Sequence, residues 1–146
     1  EVKIGEDSFK VKKRSLRGIE IDASEIPDLV PILSVIASVS EGETKIYNAG
    51  RLRIKESDRI ETTVAMIKNL GGDIRAEGDC IYISGKKSLS GGVVNSENDH
   101  RIAMSSAVAA MVCDGKVKIV GAEAVEKSYG NFFEEYKKLG AEVTEE

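Results

Sequence analysis

The chain has 146 residues, 41% of them hydrophobic and 32% charged, which suits one packed domain and is too apolar for a disordered chain. A formal net charge of −4 argues against general nucleic-acid binding, where surplus Lys and Arg meet the phosphate backbone. The two cysteines, Cys80 and Cys113, lack CxxC spacing, so neither a disulfide framework nor a zinc site is expected. No apolar run is long enough to span a membrane, and no signal-peptide pattern appears.

Val2-Lys3-Ile4 and Phe9-Lys10-Val11 alternate apolar and polar residues around Gly5-Glu6-Asp7-Ser8, which reads as a hairpin. Ile19-Glu20-Ile21 reads as a third strand. A turn from Ser24 to Asp28 leads into a helix whose apolar residues, Leu29, Ile32, Leu33, Ile36 and Val39, recur at helical spacing up to Gly42. Lys45-Ile46-Tyr47 is a strand. The run Arg51 to Ile60 mixes cations and carboxylates and opens a helix with Ile60, Val64, Ile67 and Leu70 on one face, closed by Gly71-Gly72. Asp73–Arg75 and Cys80–Ser84 form a second hairpin across Gly78-Asp79. Gly92–Asn95 is a strand, Asp99-His100-Arg101 opens an Ala-rich helix running to Gly115, and Val117–Val120 is a strand. Lys127-Ser128 precedes a helix through Phe132, Phe133, Tyr136 and Leu139, and Ala141-Glu142-Val143 starts a last strand.

The pattern repeats itself. The first strand matches Asp73-Ile74-Arg75, Asp28 matches Asp99, Gly42 matches Gly115 and Gly71 matches Gly140, at offsets of 72, 71, 73 and 69 residues. The expected fold class is α/β (α+β), built from repeated βαβαββ units at about residues 1–72 and 73–146. With no Gly/Ser linker between them, two modules in one domain are expected. Because Glu1 falls within the phase of a strand, the chain reads as a piece of something longer.

The chemistry gathers at helix entrances, where unpaired N–H groups and the macrodipole favour anions. Asp58, Asp99 and Ser128 read as caps. A cation there is unfavourable, yet Arg59 and Arg101 occupy matched points of the repeat and Lys127 stands at a third entrance. Either an anion shared with the helix termini offsets that cost, or each Arg pairs with a nearby carboxylate. Glu56, beside Lys55 and near Arg53 and Arg59, is either part of a surface ion network or a carboxyl able to move a proton at an anion site. Asp28, directly after Pro27, is a first-turn carboxylate or a second acid/base. His100 is the single histidine, which excludes a His-cluster metal site. No Gly-rich phosphate loop or nucleophile elbow appears.

The run Arg53-Ile54-Lys55-Glu56-Ser57-Asp58-Arg59-Ile60 resembles the RxKExDR signature of 5-enolpyruvylshikimate-3-phosphate synthases. Asn98-Asp99-His100-Arg101-Ile102-Ala103-Met104 resembles their NDHRxAM segment, Ile26-Pro27-Asp28 their PD segment, and Lys127-Ser128-Tyr129 their K-(S/T)-(F/Y)-P segment. The motifs stand in the family's order over most of the chain. Gly130 departs from the pattern, standing where the family usually has Pro.

The resemblance implies a fold of two similar domains, each of three βαβαββ units. This chain would cover about two units of the C-terminal domain. It implies transfer of the enolpyruvyl group of phosphoenolpyruvate to the 5-hydroxyl of shikimate 3-phosphate, with release of phosphate and no metal or organic cofactor. Carried over by motif, Asp28 would hold the acceptor hydroxyl and take its proton. Lys55 would contact shikimate 3-phosphate, and Glu56 would protonate the phosphoenolpyruvate methylene. Arg59, Arg101 and Lys127 would grip phosphoenolpyruvate, with His100 assisting nearby. The expected partners are the two substrates and the N-terminal domain of the same protein, without nucleic acid or membrane. The location is expected to be cytoplasmic. The chain alone is expected to be inactive and prone to self-association. Two alternatives stand beside this reading. One is a non-catalytic anion-binding or partner-docking repeat domain. The other is an enolpyruvyl transferase acting on a UDP-sugar, which the KESDR and DHR segments disfavour.

Overall fold

The computed structural model describes residues 2–5, 7–12 and 14–145. Glu1 and Glu6, placed by the sequence in the first strand and its turn, lie outside the described residues. Strands β1 (Val2–Ile4) and β2 (Phe9–Val11) pair antiparallel. A repeated layout follows. Strand β3 (Glu20–Asp22), helix α1 (Val30–Ala37), strand β4 (Glu43–Tyr47), helix α2 (Arg59–Asn69) and the hairpin β5 (Asp73–Glu77) and β6 (Cys80–Ser84) come first. Strand β7 (Gly92–Asn95), helix α3 (His100–Ala109), strand β8 (Val117–Val120) and helix α4 (Phe132–Lys138) come second.

The repetition extends to strand register. Strands β3 and β4 run parallel with Ile21 opposite Ile46; β7 and β8 run parallel with Val94 opposite Ile119, each residue 73 positions further on. Antiparallel β6 and β5 complete a four-stranded sheet in the order β3-β4-β6-β5. Alternation sends Ile46, Ile74, Ile81 and Ile83 inward, where Ile60, Ile67 and Leu70 of the α2 segment cover them. A smaller cluster of Ala103, Ala124 and Val125, with Phe132 and Phe133 against it, holds α3 to the segment before α4.

The element ends follow local chemistry. Asp58 caps α2, its carboxylate accepting the backbone N–H groups of Ile60 and Glu61. At the other end Gly71, at φ +82°, donates to the Lys68 carbonyl and Gly72 to that of Ile67, a Schellman closure. Helix α1 stops at Ala37, well short of Gly42, because the Ser38–Ser40 segment tightens into i→i+3 bonds, with Val39 N–H on Ile36 and Ser40 N–H on Ala37. The helix expected to run to Gly115 ends at Ala109 and continues as a 3-10 turn, Ala110–Val112.

Three expectations are corrected. Ala141–Val143 forms no strand. Its counterpart β5 pairs with the following strand β6, and Ala141–Val143 has no strand partner among the described residues. Ser128 is not the cap of α4, since Asn131 stands at that position without a side-chain cap bond. Lys127 is not at a helix entrance but in the last turn of a 3-10 segment, Ala122–Lys127, where the dipole favours a cation.

Candidate active site

Three separated motifs meet around one guanidinium. Arg59 opens α2 and is 1% exposed. Its Nε donates to Asp99 Oδ2 at 2.7 Å, Nη1 to Asp28 Oδ1 at 2.8 Å, and Nη2 to Glu56 Oε2 at 2.6 Å and Asp99 Oδ1 at 3.2 Å. Asp28 comes from the turn before α1, Glu56 from the loop before α2, and Asp99 from the entrance of α3. Asp28 is itself shared among cations: Lys55 Nζ lies 3.2 Å from Oδ1, and Arg101 Nη2 donates to Oδ2 at 3.2 Å. A first-turn cation opposes the helix dipole, and carboxylates from other elements offset this for both Arg59 and Arg101. Of the two readings of these arginines, pairing with an adjacent carboxylate holds for Arg59 and Glu56, three residues apart, whereas Asp28 and Asp99 reach Arg59, and Asp28 reaches Arg101, from across the fold.

Asp99 does two jobs. Its Oδ1 caps α3 by accepting the Arg101 backbone N–H at 2.9 Å, and Oδ2 takes the Ser57 hydroxyl at 3.0 Å as well as Arg59. Burial pushes its carboxyl up, but Arg59, the Arg101 N–H and Ser57 outweigh that and hold it below the ordinary range. Burial likewise pushes Asp28 up, and Lys55, Arg101 and Arg59 together hold it below the ordinary range. Both carboxylates are ionised at neutral pH.

The chain connection into α3 is strained. Glu97 and Asn98 both have positive φ, 50° and 58°, within a turn closed by Asp99 N–H on the Ser96 carbonyl at 2.9 Å. This turn aims the Asn98 carbonyl at Lys127, whose Nζ donates to it at 2.6 Å. The Ser96 hydroxyl donates to the Gly121 carbonyl at 2.8 Å, tying the Lys127 segment to the α3 entrance.

A family model described as EPSP synthase (3-phosphoshikimate 1-carboxyvinyltransferase) matches residues 1–136. The chain belongs to the EPSP synthase family. It is 52% identical over 142 residues to the 3-phosphoshikimate 1-carboxyvinyltransferase of Clostridium acetobutylicum, covering 97% of this chain and 33% of that protein. It is 44% identical to the protein of that name from Brachyspira hyodysenteriae, covering 94% and 33%. The chain thus spans about a third of the length of these relatives. Among solved structures, EPSP synthase of Acinetobacter baumannii matches with a TM-score of 0.79 at 34% identity, covering 85% of this chain and 30% of that one. The enolpyruvyl transferase NikO of Streptomyces tendae shares the fold, with a TM-score of 0.81 at 21% identity over 99% of this chain and 33% of its own.

Within this EPSP synthase segment, Asp28, Lys55, Glu56, Arg59 and Arg101 stand in one bonded network, and Lys127 joins it through Asn98. His100 is 7% exposed at the first position of α3, and its Nδ1 has no hydrogen-bond partner among the described residues. Beside Asp28 and Arg101 a shallow depression between α1 and α3 is lined by Leu29, Ile32, Met104, Ser105 and Val108. Sequence reasoning left Asp99 as a cap and gave Ser57 no task. The available signal was that the KESDR and NDHR segments mix cations and carboxylates and each begins a helix. Among the described residues no group of His, Cys, Asp and Glu is arranged to hold a metal ion, and no helix is long and apolar enough to cross a membrane.

Proposed function

We propose that the protein containing this chain transfers the enolpyruvyl group of phosphoenolpyruvate to the 5-hydroxyl of shikimate 3-phosphate, releasing phosphate. The observation that carries the reading is the convergence of Asp28, Lys55, Glu56, Arg59 and Arg101 within 2.6–3.2 Å bonds, in a chain of this family. The residues act as the heads of repeat units in a partial C-terminal domain, units near 1–72 and 73–146, facing a second domain that the relatives' extra length provides.

The chemistry follows from electrostatics. With Lys55, Arg101 and Arg59 on its two oxygens, Asp28 is a poor base, since hydrogen bonds to the charged form disfavour protonation. A ligand phosphate and carboxylate compete for those cations. Once Arg101 and Lys127 turn to phosphoenolpyruvate, Lys55 to shikimate 3-phosphate and Arg59 Nη1 to a ligand oxygen, Asp28 loses its counter-ions and becomes able to accept the hydroxyl proton. Glu56, 41% exposed and bonded to Arg59, delivers a proton to the methylene carbon as the hydroxyl oxygen bonds to the neighbouring carbon. Loss of phosphate from that adduct, with return of the methyl proton, regenerates the enol ether. Four of the five N–H donors of Arg59 are engaged. It therefore contributes to phosphoenolpyruvate mainly by exchanging Asp28 or Glu56 for a ligand oxygen. His100 supports the first turn of α3 beside Arg101. No cofactor is required, and a cytoplasmic location suits this pathway.

With Glu56 carrying the proton it delivers, Lys55, Arg59, Arg101 and Lys127 face Asp28 and Asp99, a surplus of two positive charges. Phosphoenolpyruvate carries about three negative charges at neutral pH, its phosphate ionising fully above about pH 6. The remaining cations must come from outside this chain, so the 146-residue chain alone does not turn over. The test is to supply the full-length protein with phosphoenolpyruvate and either shikimate 3-phosphate or a UDP-sugar, and to follow phosphate release. Release with shikimate 3-phosphate alone is expected. Release with the UDP-sugar alone would move the acceptor, and release with neither would leave a non-catalytic module.

A further inference from the structure

Glu56 and Ser57 lie between the 3-10 turn Gly50–Ile54 and α2. Among the described residues, neither makes a backbone–backbone hydrogen bond outside the regular elements. Ile54 is 83% exposed, so burial does not anchor the loop at its upstream end either. Side chains hold it from within, Ser57 on Asp99 and Thr62, and Glu56 on Arg59, and its backbone path is set by what holds its two ends.

We propose that Arg53 is a positioning residue for the transfer reaction, clasping the loop that carries Glu56; this rests on the function given above. Its Nη1 donates to Asp58 Oδ2 at 3.1 Å, closing the loop from one end to the other. Nη2 donates to the Gly78 carbonyl at 2.7 Å, and Nε stands 3.5 Å from Asp79 Oδ1, so the same fork bolts the loop to the β5–β6 turn. The 3-10 turn joins that hairpin independently, the Ala49 N–H donating to the Asp79 carbonyl at 3.0 Å. The approach is close enough that a Cβ on Gly50 would lie 2.6 Å from Asp79 Oδ2. Asp58 caps α2, so the clasp fixes Glu56 relative to the helix that begins with Arg59.

Arg53 is 36% exposed and Asp79 61%, and such pairs contribute little to stability. The consequence is geometric. A planar fork can hold a carboxylate and a carbonyl at fixed relative positions, which a lysine ammonium cannot.

The experiment uses the full-length enzyme. Arg53→Gln is expected to lower kcat about 10- to 100-fold, the scale of a misplacement near 1 Å. The KM for phosphoenolpyruvate should stay within about threefold, as for a loss felt mainly in the transition state, and the thermal midpoint should stay close to the parent's. In a Glu56→Gln background the same substitution is expected to cost less than about twofold, because residues acting through one another are not additive. Arg53→Lys should fall between. Asp58→Asn, which keeps the helix cap and breaks the charged clasp, should lower kcat in the same direction and serves where Arg53→Gln does not fold. An active parent with unchanged kcat in Arg53→Gln or Asp58→Asn overturns the proposal alone, as does a penalty undiminished by Glu56→Gln or full activity in Arg53→Lys. An inactive parent overturns the functional reading together with it.

Discussion

Arg59 and Asp99 are 1% and 0% exposed, and each is the other's main counter-charge. Removing Asp99 breaks two of the four hydrogen bonds of buried Arg59 as well as the α3 cap and the Ser57 bond, leaving Asp28 and Glu56 as the counter-charges of Arg59. Asp99→Ala is therefore expected to destabilise the chain by about 3–5 kcal/mol, measured by urea denaturation; a loss below about 1 kcal/mol would show that water reaches Arg59. The pair also makes stability depend on acid. Asp99 titrates below its ordinary 3.8 when folded, so its contribution is complete above that value and is lost as pH falls through the lower folded value. Melting curves taken downward from pH 4 should fall steeply in the parent and less so in Asp99→Asn. Equal slopes would remove Asp99 from the acid response.

At the scale of elements, the helix entrances do the positioning. Asp58→Ala should cost about 1 kcal/mol through the lost cap of α2, whereas Asp58→Asn should leave stability nearly unchanged, as compared by thermal melts. Most of this level was legible in the sequence. Asp58 before an apolar-periodic run, Gly71-Gly72 after it, and the Gly78-Asp79 turn between two strand segments each have a local cause that needs no tertiary context. Where the reading failed, a non-local partner decided. Ala141–Val143 has strand composition but no strand partner among the described residues, and Ser128 has cap chemistry but sits past a 3-10 segment whose last residue is Lys127. The motifs pointed to the residues of the candidate site, yet not that Arg59 would be buried between Asp28 and Asp99 from other elements as well as beside Glu56. That depends on three helix entrances converging, which no single stretch encodes.

For the whole molecule, matched units place Asp28 and Asp99, 71 residues apart, on opposite sides of one guanidinium. Exposed apolar residues include Ile4 at 85% and Val11 at 69% on the first hairpin, and Val93 at 54% on β7. The isolated chain is expected to self-associate through such surfaces, giving sedimentation that shifts with concentration; a single monomeric species throughout would contradict this. The central claim is that the Arg59-centred cluster serves as the phosphoenolpyruvate half of an enolpyruvyl-transfer site. The most direct measurement is kcat/KM for phosphoenolpyruvate in the full-length protein and its Arg101→Ala variant, with shikimate 3-phosphate as acceptor. A loss of about 100-fold or more in the variant is the expected result, the scale for removing a group that stabilises transition-state charge. Equal values in the two proteins would contradict the account.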